Sequence, residues 1–378
     1  MAKKALITID GAYHKIKKGF VTVDGVYKKI KKAFVSIGGV WRPCFGNGEP
    51  TYYGAITSLY DTTMELAATT VGDYAMFSGG RNGSTFYASN TFYNSSLSRS
   101  YATNMGVARA GLAATTVGNY AIFGGGRTKA STTFASMATD AYNKSMTKES
   151  GISSLRQYAS SLAATTVSTI AFFGGGIYDN SRVKTMTAYN ASLSRINTVP
   201  DLTAGGNGIA ATSIGEYALF GGGNSYSATV NGYNTSLTSV PVPSLSVGRL
   251  GLSATSNGHY ALFGGGIQSI TTQATVDCYD SSLVRTSLAS GLSAHRYRLA
   301  ATSIGEFAFF GGGEPTTSNG SSMSPVNNVD VFDASLTRTN PTGLATARSY
   351  LAATTVGNFA LFGGGSGGGS VVEAYTVV

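Results

Sequence analysis

The sequence predicts an all-β protein: a seven-bladed β-propeller with four-stranded blades, preceded by a small β-hairpin or meander module. Three observations predict it. One phrase recurs seven times, as LAATTVGDYAMFSGG from Leu66, LAATTVGNYAIFGGG from Leu112, LAATTVSTIAFFGGG from Leu162, IAATSIGEYALFGGG from Ile209, LSATSNGHYALFGGG from Leu252, LAATSIGEFAFFGGG from Leu299 and LAATTVGNFALFGGG from Leu351. The spacings are 46, 50, 47, 43, 47 and 52 residues, which suits a four-stranded propeller blade and is too long for helical-pair repeats of about 34 residues. No 3.6-residue apolar period appears, and glycine clusters interrupt every candidate helical segment.

Each unit reads as four strands. The run Leu-Ala-Ala-Thr-Thr-Val is short, apolar and rich in β-branched residues, and its small Ala pair suits a crowded innermost strand a. A glycine turn such as Val117-Gly118-Asn119 leads to strand b, Tyr120-Ala121-Ile122-Phe123, which ends in Gly124-Gly125-Gly126. The phenylalanine before the glycines recurs in all seven units (Phe77, Phe123, Phe173, Phe220, Phe263, Phe310 and Phe362). A ring of that size, burying roughly 150–250 Å², fills the wedge between radial blades. Glycine permits positive φ and close backbone approach where strand b leaves the sheet. After a variable loop, strand c ends at Tyr93-Asn94, Tyr142-Asn143, Tyr189-Asn190, Tyr233-Asn234, Tyr279-Asp280 or Phe332-Asp333. Asn or Asp followed by Ser is turn chemistry, and strand d follows it. Because Asn94, Asn143, Asn190 and Asn234 hold a fixed place in the repeat, their Asn-x-Ser sequences mark hairpin turns, not glycosylation sites.

The termini predict how the ring closes. The seventh unit stops after a strand c, residues 371–378, with no strand d. Residues 52–62 precede the first strand a and have the character of the missing strand, so an N-terminal strand is expected to clasp the C-terminal blade. The expected organisation is a module over residues 1–46, a linker over 47–51 and a propeller over 52–378.

The Gly-Gly after an apolar strand, the later Tyr, and an Arg three residues ahead of strand a (Arg109, Arg249, Arg296 and Arg348) together resemble kelch-type propellers. Thr63, Ala159 and Gly206 take the Arg place in the other three units, and the Trp that follows the Tyr in the kelch pattern is missing. The resemblance covers residues 52–378. It implies the propeller fold and does not imply kinship to cytoskeletal or ligase-adaptor kelch proteins.

A second repeat, 14 residues long, opens the chain: KKALITIDGAYHKI, KKGFVTVDGVYKKI and KKAFVSIGGVWRPC from Lys3, Lys17 and Lys31. Asp10-Gly11, Asp24-Gly25 and Gly38-Gly39 are two-residue hairpin signals between β-branched runs. Charge is concentrated here. The chain holds 27 Lys+Arg and 18 Asp+Glu, a formal charge of +9; ten of the bases and two of the acids fall within residues 1–46. The rest of the chain is nearly neutral. Lys15, Lys17, Lys18, Lys28, Lys29, Lys31 and Lys32 have three readings: solvated strand faces and edges, docking on an acidic partner protein, or nucleic-acid binding. Tyr13, Tyr27 and Trp41 recur at the 14-residue spacing, which fits hairpin cross-strand packing more simply than base stacking. The Lys-Lys and Asp-Gly repeat resembles N-terminal modules of structural and tail-associated proteins of bacteriophages and prophages. That resemblance implies particle attachment through these lysines and Trp41, with other virion or tail proteins as partners.

Chemistry is sparse. Charged residues make up 12% of the chain. Cys44 and Cys278 lie far apart, so neither a disulfide framework nor a CxxC motif exists. His14, His259 and His295 have no Asp or Glu at a suggestive spacing, and no nucleophile elbow, zinc motif or Walker loop is present. The triple glycines are not phosphate cradles, since no helix follows them. Galactose oxidase-like enzymes ligate copper with Tyr and His on a similar ring; two histidines in the propeller argue against such a site. No enzyme activity, cofactor or metal is expected. Neither a membrane-spanning apolar run nor a signal-peptide core is found.

What varies between units is the loops. Those after the glycines include Arg81-Asn82-Gly83-Ser84-Thr85, Arg127-Thr128-Lys129-Ala130, Ile177-Tyr178-Asp179-Asn180-Ser181-Arg182, Asn224-Ser225-Tyr226 and the stretch Glu314 to Asn328. In a propeller the b–c and d–a loops share a face, so seven variable loops on a rigid ring form a binding surface. The expected ligand-contacting residues are Arg81, Asn82, Arg127, Lys129, Tyr178, Asp179, Asn180 and Tyr226, with Arg109, Arg249, Arg296 and Arg348 opening toward the same face. For those four arginines a structural role, bonding blade carbonyls, is the alternative. The function expected is a virion or tail-associated phage protein, made in the host cytoplasm, whose propeller binds a host-surface glycan or protein, with glycan favoured; self-association on the particle is the other partnership considered. A purely structural virion component and an intracellular interaction scaffold are the competing readings.

Overall fold

The computed structural model describes residues 48–377 apart from residue 318, and in the first 47 residues only the backbone of six strands. Seven radial blades follow in chain order. Their innermost strands a are Ala67–Val71, Ala110–Val117, Ala163–Val167, Ile209–Ile214, Ser253–Ser256, Ala300–Ile304 and Ala352–Val356. Strands b are Tyr74–Ser78, Tyr120–Arg127, Ile170–Gly174, Tyr217–Gly222, Ala261–Gly264, Phe307–Gly311 and Phe359–Gly363. Strands c are Asn90–Asn94, Thr139–Asn143, Met186–Asn190, Val230–Asn234, Val276–Tyr279, Val329–Phe332 and Val372–Val377. The outer strands d are Arg99–Tyr101 in blade 1, then Arg195–Ile196, Ser239–Val240, Arg285–Ser287 and Arg338–Thr339 in blades 3 to 6. In blade 2 the outer segment makes only local bonds to strand c, such as the Glu149 amide donating to the Ala141 carbonyl at 2.9 Å, so that sheet has three strands.

Blade 7 closes the ring as the termini predict. Its order is a–b–c followed by Pro50–Ile56, which pairs antiparallel with Val372–Val377. The closing strand begins two residues before the expected boundary, at Pro50.

There is no single core. Seven apolar clusters lie between neighbouring blades, and the one between blades 7 and 1 joins Leu361, Val372 and Ala374 to Ala75, Phe77 and Tyr93. Within each blade the strand-b Phe meets the aromatic ring of strand c edge to face, with centroids 5.8 to 6.2 Å apart. That geometry sets the positive ring edge against the negative ring face. The first glycine of the triplet explains how neighbours fit. A Cβ on Gly264 would stand 2.8 Å from the Phe310 ring, and one on Gly363 would stand 2.7 Å from Phe77. In five of the seven junctions the phenylalanine (Phe77, Phe173, Phe263, Phe310 or Phe362) therefore lies against the backbone of the blade before it, whereas Gly174 faces Met186 and blade 1 carries Ser78 in place of that glycine.

The c–d turns are built alike in six blades. The side-chain oxygen of Asn94, for example, accepts the amides of Ser96 and Ser98, both at 3.0 Å, and Asp333 does the same for Ser335 and Thr337 at 2.8 Å. The turn then places Leu97, Met146, Leu193, Leu237, Leu283 or Leu336 at φ of 60–62°, where glycine is the usual choice. Those side chains pack on the inter-blade clusters, and that burial offsets a left-handed cost of roughly 1–2 kcal/mol per residue.

The N-terminal segment forms three hairpins: Leu6–Ile9 with Ala12–Lys15, Phe20–Val23 with Val26–Lys29, and Lys32–Ile37 with Val40–Gly46. Among the described residues each hairpin is a separate two-stranded sheet. The registers leave two residues between the paired strands, as the Asp-Gly and Gly-Gly dipeptides predict. The attachment residues Lys15, Lys17, Lys18, Lys28, Lys29, Lys31, Lys32 and Trp41 lie outside the described side chains.

Deleting residues 371–378 removes the partner of the closing strand and half of the cluster between blades 7 and 1. The expected result is loss of a single cooperative transition in a thermal melt followed by circular dichroism; an unchanged melt would refute closure by this clasp.

Candidate binding face

The channel at the ring's centre is lined by the Ala and Thr/Ser pairs of the seven strands a and has a volume of about 560 Å³. Hydroxyls bridge neighbouring blades across its wall: Thr69 to Thr116, Thr115 to Thr166, Thr302 to Thr355 and Thr354 to Thr70, all at 2.8 Å. Among the described residues no charged side chain lines it.

At the end where strands a begin, one residue per blade adopts a left-handed backbone: Glu65, Gly111, Ser161, Gly208, Gly251, Arg298 and Tyr350, with φ between 55° and 69°. Except between Ser161 and Gly208, their amides and carbonyls bond head to tail around the channel. The Glu65 amide donates to Tyr350, Gly111 to Glu65, Ser161 to Gly111, Gly251 to Gly208, Arg298 to Gly251 and Tyr350 to Arg298, at 2.7 to 3.0 Å. The rim is chemically uneven. The Arg298 guanidinium sits between the Tyr297 and Tyr350 rings, 4.3 and 4.4 Å from their centroids, and pairs with Glu314. Glu65 holds Arg81 at 2.8 Å and also pairs with Arg127. Arg81 and Arg127 are thus brought together at the rim, largely buried and committed to one carboxylate.

The four arginines ahead of strand a are a correction. Arg109, Arg249, Arg296 and Arg348 are fully buried and do not open toward the loop face. Each donates through Nη2 to the carbonyl of its own blade's strand-b phenylalanine, at 3.1 to 3.2 Å, which is the structural alternative that the sequence left open. The same nitrogen lies 2.7, 2.9, 2.7 and 2.6 Å from a carboxylate oxygen of Asp140, Asp277, Asp330 and Glu373 respectively. Burying a guanidinium this deeply requires a paired charge, so the arginine is spent on the blade interior.

These acids were missed by sequence reasoning, although the signal was present. Each stands opposite the phenylalanine on strand c. The three blades without the Arg carry Thr91, Thr187 and Asn231 at that register, so acid and base appear and vanish together. One role survives in all seven blades. The side-chain oxygen at this position accepts a backbone amide of the loop leading to strand a: from Tyr60, Gly106, Arg156, Thr203, Ser246, Ser293 and Ala345 in turn, at 2.5 to 3.4 Å.

The remaining candidates lie on the b–c loops. Asn82 is exposed in a small hairpin, Arg81–Asn82 with Thr85–Phe86. Lys129 lies 4.4 Å above the Phe134 ring. Tyr178, Asp179 and Asn180 form the hairpin Ile177–Tyr178 with Ser181–Arg182, and Tyr226 is exposed in blade 4. Bonds join these loops from blade to blade. Thr132 donates to Asn180 at 3.2 Å, Thr133 to Asp179 at 3.3 Å, Arg182 to Ser225, and the Tyr226 hydroxyl to the Ser269 carbonyl at 3.1 Å.

The a–b and c–d turns occupy the opposite face. Strand d of blade 7 runs antiparallel to strand c, so the chain enters the ring at Pro50 on that turn face. His259 and Glu306 meet there at 3.4 Å, both exposed, while His295 in the loops contacts the Thr272 hydroxyl at 2.6 Å. Among the described residues no three His, Cys, Asp or Glu side chains converge as a metal site requires, and no helix is long and apolar enough to cross a membrane. A scan against protein-family models gives no match, and a search of curated proteins gives none either.

Burial works to raise the Asp277 pKa, but the Arg249 guanidinium and the bonds from Ser246 and Ser287 outweigh it, so the carboxyl titrates below its usual range. Asp140 is lowered likewise by Arg109, Lys148 and the Gly106 amide. A lowered folded pKa contributes stability that is complete above the unfolded value of about 3.9 and is lost as pH falls below it. The melting temperature is therefore expected to fall steeply below about pH 4. Asp277→Ala leaves Arg249 buried and unpaired, and is expected to cost about 3–5 kcal/mol in chemical denaturation.

Proposed function

We propose that this chain is a non-enzymatic binding protein of a phage virion or phage-derived particle. The basic N-terminal hairpins attach it to the particle, and the kelch-like propeller presents its variable loops to a host-surface ligand of glycan type. The observation that carries this reading is the polarity of the ring. The chain from the Lys-rich segment joins the ring at Pro50 on the turn face, while the loops that differ from blade to blade stand on the other. Attachment and display thus use opposite ends of a rigid body. The resemblance of the first 46 residues to tail-associated modules supports the particle, and the loop-to-loop bonds support preorganised recognition, which lowers the ordering cost of binding.

The test uses the full-length, fluorescently labelled protein on a panel of bacterial strains. Surface decoration of some strains is expected, and it is expected to be lost when the b–c hairpins of blades 1, 3 and 5 are each shortened to a Gly-Ser pair. Decoration of no strain would favour a purely structural role, and decoration that persists without those loops would refute binding through the loop face. Binding to duplex DNA that weakens steeply between about 50 and 200 mM salt would point to a nucleic-acid arm instead.

A further inference from the structure

The loop face is not chemically uniform. Among the described residues, one pair of aromatic rings is both stacked and open to solvent: Tyr158 and Tyr178, with centroids 5.2 Å apart and planes 24° apart. The other stacked pair, Phe172 and Tyr233, is buried. The exposed pairs Tyr60–Tyr101 and Tyr53–Phe359 meet edge to face and present no common plane. Tyr178 is half-buried against the cluster between blades 2 and 3, so it acts as a fixed base. Tyr158, arriving from the loop ahead of strand a in blade 3, lies on it and remains 43% exposed.

The surroundings are polar and fixed. Asp179 and Asn180 form the turn next to Tyr178, with φ of 46° and 57°. The two threonines of the short 3-10 helix Thr132–Phe134 hold both side chains from blade 2. Planar Asp and Asn groups still have free acceptor and donor capacity after one such bond. The nearby charges, Lys129, Asp179 and Arg182, are of mixed sign and sum to only +1, with Lys129 set over the Phe134 ring and Arg182 bonded to Ser225.

We propose that this arc over blades 2 and 3 is a saccharide-binding platform for an uncharged or weakly charged sugar. The apolar C–H face of a pyranose lies on Tyr158, and its hydroxyls reach Asp179 and Asn180. A flat ring backed by a second ring is a rigid apolar plate with little side-chain entropy to lose. The polar groups beside it fix the orientation of a ligand that is apolar on one face and hydroxylated at its edges. This deepens the proposed receptor-binding role and rests on it.

The experiment measures the full-length protein against an array of purified bacterial surface polysaccharides and neutral disaccharides, together with whole cells before and after periodate or protease treatment. The expected result is saccharide binding that falls about tenfold or more in Tyr158→Ala, with the melting temperature unchanged. Asn180→Ala is expected to weaken it as well, and Tyr101→Ala, on blade 1, to leave it as in the wild type. Wild-type saccharide binding that Tyr158→Ala leaves intact overturns this site while preserving the receptor-binding reading. Cell binding that survives periodate but not protease also overturns the saccharide, again preserving that reading. No binding to any saccharide or cell overturns both.

Discussion

In every blade one strand-c side chain reaches across to the loop that leads into strand a and accepts its backbone amide. The interaction is made by Asp140, Asp277, Asp330 and Glu373, and equally by Thr91, Thr187 and Asn231. The residues that donate are exposed, so each bond contributes only about 0.5–1.5 kcal/mol net, and what it does is fix the path of the loop between strand d and strand a. With that amide held, the next residues can turn through the left-handed position and join the ring of bonds around the channel. Four blades add a buried arginine to the same oxygen-bearing position. The arginine ties strand b, strand c and the loop together, at the cost of dependence on its acid.

The side chains that differ between blades sit outside this frame. The six bonds of the rim use backbone atoms, so its positions accept Gly, Ser, Glu, Arg or Tyr without losing them. Beyond the rim the b–c loops vary in length and chemistry while bonding to one another across blade boundaries. A repeat architecture stores variation where it does not disturb nearest-neighbour packing. The stacked tyrosines of blade 3 are an example: Tyr178 rests on an inter-blade cluster, and Tyr158 is free to face outward.

Much of the fold was legible because the repeat writes each physical requirement seven times. The phenylalanine, the glycines and the Asn-Ser turns each recur at fixed offsets, and ring closure followed from a strand missing at one end and surplus at the other. The arginines were harder to place. Position alone put them near the loops, and only the register across strands b and c shows that an acid lies within reach. Comparing Arg109 and Asp140 with Ala159 and Thr187 would have revealed the pairing from sequence, since the two letters change in step. The candidate face was legible as a set of loops but not as an arrangement. Tyr158 and Tyr178 are 20 residues apart and meet only because a d–a loop and a b–c loop share one edge of the ring.

The clasp of blade 7 has a mechanical meaning. The chain reaches the ring through the first residue of an outer strand, and the loop face lies at that strand's far end. A pull between the N-terminal hairpins and anything held by the loops runs along the strand axis. The ladder from Pro50↔Val377 to Ile56↔Val372 is then loaded in shear, with its bonds strained together and not peeled one by one. The weakest covalent discontinuity of the ring is thereby set in its strongest direction, and tension on the tether draws against the whole blade at once.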